Sequence, residues 1–369
     1  MEMMYVEDCC EILDSMRVPI TASDREEGKY PYYGANGIQD YVADYIFNDE
    51  LVLLAEDGGN FGSKERPIAY RVSGKCWVNN HAHVLKPKVG LDVDYLCYSL
   101  MFYRVDGMVN GATRQKLTQA AMRKMQIPSR SMEEQAHIVG KLNRVIKIKN
   151  QRQQELQLLD KLIQARFVEM FGDCNNKMSV SDICSIITDG THQPPKFQDS
   201  GIPFIFVSNL ANNTVTYNAE KFISEETYNE LIKRTPIEIG DVLLSTVGSY
   251  GHPAIVVEDR KFLFQRHIAY LKPKREIVNS FFLHSALLAS DAQRQIEDKV
   301  KGIAQKTLNL SEIRKIIIPI PSIEKQNEFE VFVHQINKLK IANFSNSAAI
   351  KPNINSTTHS RKRSISHGN

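Results

Sequence analysis

The stretch RKMQIPSRSMEEQ (123–135) returns in altered form as RKIIIPIPSIEKQ (314–326), in a chain of 369 residues. The match extends upstream without a gap, so that 111–135 and 302–326 share nine identical residues. Chance would give about one or two identities in such a window, which makes this an internal repeat. Its period is too long for a solenoid and predicts a chain built from two similar halves.

Other segments recur in the same order in each half. CWVNNHAHVLKPK (76–88) corresponds to FLFQRHIAYLKPK (262–274), and ELVLLAEDGG (50–59) corresponds to DVLLSTVGS (241–249). GKYPYYGANG (28–37) resembles GIPFIFVSN (201–209) more loosely. Short β-branched or aromatic runs bounded by Gly or Asn are typical of strands. Each half is therefore expected to form a mixed α/β (α+β) globule.

A long helix is predicted between the halves. Ser131 and Glu134 have the spacing of a capping box, and no proline follows before Phe171. Apolar residues at heptad spacing, interrupted by Lys149, Arg152 and Arg166, predict a coiled-coil seam with a second helix that starts at Ser322. The residues assigned to this seam are Leu142, Val145, Leu156, Leu159 and Ile163 on the first helix and Phe332, Ile336 and Leu339 on the second.

Chain order gives this helix a geometric consequence. About 40 helical residues span about 60 Å, so we expect the globules to be held apart, with the second helix antiparallel and the halves related by a pseudo-twofold axis. Duplex DNA repeats every ~34–36 Å, which suits two separated half-sites. The predicted boundaries are 1–130 for the first globule, 131–173 for the central helix, 174–321 for the second globule, 322–345 for the second helix and 346–369 for a disordered basic tail.

Composition excludes several classes of protein. The net charge of +3 is mildly basic, and the six cysteines are scattered without a CxxC pair. That argues against a zinc ribbon or a disulfide framework and suits a reducing cytosol. The sequence shows no signal peptide and no apolar run near the ~18–20 residues of a membrane span. We therefore expect a cytoplasmic protein that does not bind membranes.

Catalytic motifs are missing from the sequence as well. QPPK (193–196) lacks the leading Asp or Asn and the aromatic residue of the adenine-methyltransferase motif D/N-P-P-Y/F. A phosphate-binding loop and an HExxH zinc motif are also absent. No catalytic residue and no metal ligand is assigned.

These parts together resemble the specificity (S) subunit of a type I restriction–modification system. The resemblance is carried by the tandem halves, by GATRQKL (111–117) and GIAQKTL (302–308), and by the two IPxxxxxEQ-like exits. PYYGANGIQDYV (31–42) is similar to the start of one type of target-recognition domain in that family. The resemblance covers nearly all of 1–345; near the C terminus the second helix is shorter than the family pattern.

The resemblance implies a function without chemistry in this chain. Each half would be a target-recognition domain for one part of a split sequence in double-stranded DNA. The helices would set the spacer and bind two methyltransferase subunits, and restriction subunits would complete the complex. S-adenosylmethionine, ATP and Mg²⁺ are then expected on those partner subunits, and no cofactor in this chain.

Residues predicted to contact DNA are polar side chains in loops and at strand ends, since base readout needs donors and acceptors surrounded by Lys and Arg. In the first half they are Asn36, Asp57, Asn79, Asn80, His81, Thr113, Arg114, Gln115 and Lys116. In the second half they are Thr191, His192, Gln193, Lys196, Ser208, Asn209, Thr246, Ser249, Tyr250, Arg266, His267, Gln305 and Lys306.

Structural alternatives stand beside these assignments. Residues 113–116 could cap a short helix, the two histidines could complete hydrogen bonds in the core, and the Gly-bearing loops could be ordinary turns. The basic run between Lys141 and Arg152 could be a solvated helix face rather than a face toward spacer phosphates or a partner helix. At the level of function, the alternatives are a coiled-coil adaptor that binds proteins and a standalone DNA-modifying enzyme with an unrecognised motif.

Overall fold

The computed structural model describes residues 2–111, 114–302 and 306–348. Thr113, Gln305 and the predicted tail from residue 349 onward lie outside the described residues. The chain divides into two compact units, residues 1–150 (unit 1) and 151–369 (unit 2). Within the described ranges, no helix has both the length and the apolar character needed to cross a bilayer.

Unit 1 is built around a six-stranded sheet with the order β2-β7-β5-β6-β3-β4. Its strands are β1 (Met3–Tyr5), β2 (Cys10–Ile12), β3 (Glu27–Gly34), β4 (Gly37–Val42), β5 (Phe47–Ala55), β6 (Ala69–Val78), β7 (Ala82–Pro87), β8 (Val109–Asn110), β9 (Lys116–Leu117) and β10 (Gln126–Pro128). Its helices are α1 (Val6–Cys9), α2 (Val93–Leu100), α3 (Gln119–Arg123) and the start of α4 (Met132–Phe171).

The continuous apolar run of β5 is explained by burial on both faces of the sheet. Val52 and Leu54 belong to the core that contains Leu96 of α2, whereas Leu51 and Leu53 belong to a second core on the opposite face. Since successive strand side chains point to opposite faces, a strand covered on both sides has no polar alternation.

Unit 2 contains a four-stranded sheet, β12-β18-β15-β16, and a three-stranded sheet, β14-β13-β17. Its strands are β11 (Lys177–Ser179), β12 (Cys184–Asp189), β13 (Ile202–Ile205), β14 (Lys221–Ile223), β15 (Val242–Ser245), β16 (Pro253–Ile255), β17 (Leu263–Phe264), β18 (Ile268–Pro273) and β19 (Ile317–Pro319). Besides the end of α4, its helices are α5 (Val180–Ile183), α6 (Glu225–Leu231), α7 (Ser280–Leu288), α8 (Ser290–Lys299), α9 (Leu310–Ile313) and α10 (Ile323–Ala348).

The two units repeat the same strand pairing. In unit 1, β5 pairs with β7 so that Val52 lies opposite Leu85. In unit 2, β15 pairs with β18 so that Val242 lies opposite Leu271. The short pairs β1–β10 and β11–β19 also correspond. The prediction of two similar mixed α/β globules is confirmed.

The glutamine that ends each repeated exit makes the same three hydrogen bonds. In unit 1, Gln135 accepts a hydrogen bond from the Asp92 backbone N–H at 2.8 Å and donates to the carbonyls of Gly90 and Arg130, both at 2.9 Å. This side chain is fully buried, as is that of Gln326 in unit 2. The latter accepts from the Asn279 N–H at 2.8 Å and donates to the carbonyls of Ile277 and Pro321. The exit is thus repeated because it joins a helix start to the globule.

Within unit 2, the last turns of α4 pack antiparallel against α10. The Phe171 ring lies 5.6 Å from that of Phe329, and Asp160 Oδ1 lies 2.6 Å from Lys340 Nζ. Contacts that move back along α4 as they move forward along α10 define an antiparallel pair, which confirms the predicted coiled coil within this unit.

The packed stripe differs in part from the assigned seam. Leu156, Leu159, Ile163 and Phe332 are half-buried and Ile336 is buried, but Leu142, Val145 and Leu339 are exposed. On α10 the buried positions are Phe329, Val333 and Ile336, and Phe329 packs against the rings of Phe167 and Phe171. In unit 1, no second helix among the described residues covers Val145.

Candidate nucleic-acid interface

Three backbone hydrogen bonds bring the GATRQKL segment of unit 1 against the Gly-bearing loop after β5 (56–59) and against the segment around His81 (76–88), which we call the His strand; its counterpart in unit 2 is 262–274. The Glu56 N–H donates to the His81 carbonyl at 2.9 Å, and the Leu117 N–H donates to the Glu56 carbonyl at 2.7 Å. The Gly58 N–H donates to the Gln115 carbonyl at 3.1 Å. We call this arrangement the loop framework.

Unit 2 contains the same loop framework. The Thr246 N–H donates to the His267 carbonyl at 2.9 Å, and the Leu308 N–H donates to the Thr246 carbonyl at 2.8 Å. The Gly248 N–H donates to the Lys306 carbonyl at 3.2 Å. Segments far apart in sequence are therefore held together identically in both units.

Exposed polar groups cluster over the framework of unit 1. Asp57 Oδ1 lies 2.6 Å from His81 Nδ1 and 3.3 Å from Arg114 Nη2, and the Arg114 side chain is 59% exposed. The Asn36 amide donates to the Gly58 carbonyl at 3.0 Å. Gly58 has φ of +61° and an added Cβ would lie 3.2 Å from Arg114 Nε. The loop therefore needs glycine for its left-handed backbone.

A buried polar network lies beneath this cluster. The fully buried His83 places Nε2 2.9 Å from the Leu117 carbonyl oxygen and Nδ1 2.7 Å from Asp14 Oδ2. Asp14 also accepts from the Gln119 side chain and the Val84 N–H, both at 2.9 Å. Burial pushes the pKa of Asp14 upward, but the hydrogen bonds and the charge of His83 outweigh it and hold the pKa below its ordinary value.

The side-chain ligand atoms of Asp14, Glu56 and His83 lie within 4.8 Å of one another, a spacing at which three such groups could hold a metal ion. Arg17 Nη1 already lies 2.6 Å from Glu56 Oε2, and Lys116 Nζ lies 2.9 Å from Glu56 Oε1. Burial raises the pKa of Glu56, but these two cations outweigh that effect and keep the pKa low. Since protein cations neutralise the carboxylates, we interpret the group as an ion-pair network.

The side chains over the framework of unit 2 are different. Lys306 Nζ lies 5.9 Å from the centre of the Tyr250 ring, and Ser249 is exposed beside it. Arg266 is exposed, and its Nε lies 3.4 Å from His267 Nε2. Burial, and secondarily the charge of Arg266, lowers the pKa of His267.

The proline-rich loop TDGTHQPPKF (188–197) lies against the His strand of unit 2. The Thr191 N–H donates to the Phe264 carbonyl at 2.9 Å, and the Arg266 N–H donates to the Thr191 carbonyl at 3.1 Å. His192 Nε2 lies 2.9 Å from Asp189 Oδ2. The remaining exposed residues predicted in the two units are Asn80, Gln193, Lys196 and Ser208.

Three predicted DNA contacts are corrected to structural roles, because Asn79, Asn209 and Thr246 are buried. The Asn79 amide donates to Gln39 at 3.1 Å and its oxygen accepts from the His81 N–H at 2.8 Å. The Asn209 oxygen accepts from the Phe206 N–H at 2.9 Å. Asn79 and Asn209, whose side chains are paired inside the protein, therefore hold loops in place rather than reach bases, and the buried Thr246 contributes its backbone groups to the loop framework.

Sequence reasoning missed Asp14, Arg17, Glu56 and His83 in unit 1 and Asp189 and Arg234 in unit 2. Asp14 and His83 are far apart in the chain, and no spacing motif links them. Arg234 ends a one-turn 3-10 helix, Ile232–Arg234, in a stretch for which no repeat was recognised. Only the repeated order of strands could have pointed to Asp14 and Asp189.

Comparisons with known proteins bear on this arrangement. The sequence model of the type I restriction modification DNA specificity domain matches residues 1–158 and again residues 174–349. A putative type I restriction enzyme specificity subunit of Haemophilus influenzae is 26% identical over 337 residues, which cover 87% of this chain and 84% of that protein. The EcoBI specificity subunit of Escherichia coli is 33% identical over 147 residues, 40% of this chain and 31% of that protein.

A solved structure supports the fold. The crystal structure of a type I restriction–modification S subunit from M. genitalium superposes with a TM-score of 0.51 at 13% identity, covering 94% of this chain and 92% of that one. Since the family model matches both units, which share one loop framework, this chain belongs to the type I restriction–modification DNA specificity family and is a specificity subunit with two copies of its characteristic domain.

Proposed function

We propose that the chain reads a DNA target in two parts, unit 1 recognising one half-site and unit 2 the other. The observation that carries this proposal is the loop framework, which is the same in both units but presents different exposed side chains. Unit 1 presents Arg114 beside Asp57 and His81, whereas unit 2 presents Lys306 beside Tyr250. One scaffold with two sets of readers fits two different half-sequences.

The chemistry of these side chains fits direct readout. Arginine pairs in bidentate fashion with guanine, and Gln or Asn pairs with adenine. Arg114 and Gln115 in unit 1, and Arg266 in unit 2, are exposed and supply such donors. Lys116, Lys196 and Lys306 are exposed cations of the kind that contact phosphates and fix register.

We further propose that α4 and α10 bind methyltransferase subunits, with restriction subunits completing the complex. Leu158 and Leu162 of α4, one turn apart, are 62% and 46% exposed. Exposed apolar residues at this spacing fit an apolar face of a partner helix. Methyl transfer and DNA translocation, with S-adenosylmethionine, ATP and Mg²⁺, would then belong to the partner subunits, two methyltransferases per chain.

The test is selection from a pool of randomised duplexes, using the full chain copurified with its methyltransferase subunits. We expect an enriched motif of two short parts separated by a gap of fixed length. A single uninterrupted motif, or no enrichment, would contradict two-part reading. Methylation of duplex DNA by the chain alone would favour a standalone enzyme, and a complex that binds protein partners but no DNA would favour the adaptor.

A further inference from the structure

Asp14 and Asp189 occupy the same position of the repeated sheet. In unit 1 Ile12 pairs with Leu85, and Asp14 follows two residues later. In unit 2 Ile187 pairs with the equivalent leucine of β18, and Asp189 again follows two residues later. Each aspartate also contacts the residue three positions further on, Arg17 in unit 1 and His192 in unit 2.

The residue of the neighbouring strand that meets each aspartate differs between the units. Asp189 lies opposite Ala269 of β18. The counterpart of Ala269 in β7 is His83, since Leu54 lies opposite His83 and the equivalent Leu244 lies opposite Ala269. His83 binds the Asp14 carboxylate inside the protein. Ala269 has no polar group, and Asp189 instead pairs with surface residues.

The main partner of Asp189 is Arg234. The Arg234 Nη2 lies 2.7 Å from Asp189 Oδ1 and 3.3 Å from His192 Nε2. The Asp189 side chain is only 16% exposed, whereas that of Arg234 is 53% exposed. The carboxylate therefore holds one end of an exposed guanidinium group.

The other donors of Arg234 are available. Among the described residues, its Nη1 and Nε make no hydrogen bond, and Nη2 makes only the two contacts with Asp189 and His192. Because a guanidinium group is planar and rigid, holding one of its nitrogens also fixes the direction of the other N–H groups. Two of these can donate to a pair of acceptors on another molecule.

The Arg234 group is connected to Arg266, a predicted reader of unit 2, through the loop that follows Asp189. A Cβ at Gly190 would lie 2.2 Å from the Phe264 carbonyl, so the loop that follows Asp189 touches the backbone of the His strand. Hydrogen bonds of Thr191 to Phe264 and from Arg266 to Thr191 continue this contact. Arg234 and Arg266 are therefore linked through one short loop.

We propose that Arg234, oriented by Asp189, reads a guanine in the half-site of unit 2, an inference that rests on the proposed function. The O6 and N7 acceptors of guanine in the major groove match two donors on one edge of a guanidinium group. The Asp189 carboxylate offsets the positive charge of Arg234 but leaves its donors in place. That weakens it as a phosphate anchor and suits it to directional readout.

The test compares R234A and R234K with the wild-type chain, each copurified with methyltransferase subunits, by selection from randomised duplexes. For R234A we expect the preference at one base pair of one half-site to fall roughly ten- to hundredfold, because Ala offers no donor to O6 and N7 of guanine. R234K should also lose preference at that base pair, because a lysine ammonium lacks the planar fork that Asp189 holds in place. The other half-site should be unchanged. R294A is the matched control, since Arg294 is an exposed arginine of unit 2 paired with an aspartate, Asp291.

The outcomes separate the inference from the proposed function. Weaker binding of R234A to all sequences alike would identify a phosphate contact and overturn the inference, as would an unchanged motif. Full retention of the preference by R234K would show that the planar fork held by Asp189 is not needed, which also overturns it. If the wild-type chain enriches no split motif, the proposed function itself fails.

Discussion

His83 and Leu117 are joined by a 2.9 Å hydrogen bond from the buried imidazole to the backbone carbonyl that follows Lys116. A histidine inside the sheet thus holds the segment that carries Arg114, the exposed arginine over the loop framework.

Replacing His83 by Ala is expected to lower the free energy of unfolding of unit 1 by about 2–4 kcal/mol, because the change leaves the buried Asp14 carboxylate and the Leu117 carbonyl with fewer partners. Urea denaturation followed by the fluorescence of Trp77, the only tryptophan of the chain, reports on this unit. H137A, at an exposed position of α4, is the control. An H83A variant as stable as H137A would contradict this role.

The lowered pKa of Asp14 predicts that unit 1 loses stability in acid. Its pKa is lowered in the fold, since its hydrogen bonds and the charge of His83 outweigh burial. The stabilisation is therefore full above the unfolded value of about 3.9 and is lost as pH falls through the lower folded pKa. We expect D14N to be less stable than wild type at neutral pH, with the difference shrinking in acid. Trp77 fluorescence in urea over a pH series measures it; a constant difference would refute the linkage.

The raised pKa of Asp241 predicts the opposite for unit 2, a gain of stability in acid. Burial raises its pKa above the ordinary value, and its Oδ1 has no hydrogen-bond partner among the described residues. The ionised form is therefore unfavourable in the fold, so this group makes unit 2 more stable as pH falls through its raised pKa. D241N should abolish that gain. Hydrogen exchange of unit 2 peptides, corrected for intrinsic rates, provides the measurement, and an acid gain that persists in D241N would argue against the assignment.

Arg114 is expected to read one half-site only. R114A should relax the preference at one base pair of the unit 1 half-site by about 1–3 kcal/mol, with the unit 2 half-site unchanged. Competition binding with single-base variants of the target measures this. Arg104, an exposed arginine of unit 1 that pairs with Asp106 at 3.2 Å, supplies the control variant R104A. An equal loss on unrelated sequences would assign Arg114 to phosphate.

The exposed leucines of α4 predict a partner surface. A charge at Leu158 or Leu162 should weaken binding of methyltransferase subunits at least tenfold, since an unpaired carboxylate would be buried in the contact. The stability of the isolated chain should not change, because both side chains are exposed. L158E and L162E are compared with Q153E, on another exposed face of α4, by titration calorimetry. Equal affinity of all three variants would place the partner elsewhere.

The sequence predicted what depends on repeated local patterns. The doubled exit predicted two similar units. The structure explains why the exit is repeated: its glutamine, Gln135 in one copy, is buried and bonded to backbone groups that each copy of the fold contains. The long helix followed from heptad spacing and from the lack of proline.

Pairings between distant residues were not predictable in the same way. Asp14 and His83 meet only because β2 and β7 are neighbours, and neither residue has a motif. Asn79 has the composition of a reader, but the parallel pairing of β3 with β6 buries it. Leu339 satisfies the heptad yet is exposed, since the buried stripe of α10 runs through Phe329, Val333 and Ile336.

The loop framework is made entirely of main-chain groups. Every residue supplies a backbone carbonyl, and every residue except proline supplies a backbone N–H. Substitutions at positions such as 114, 115 and 306 can therefore alter what is recognised while the scaffold stays intact. Lineages of this protein can diversify their targets by point changes at the rim, without first acquiring compensating changes in the interior.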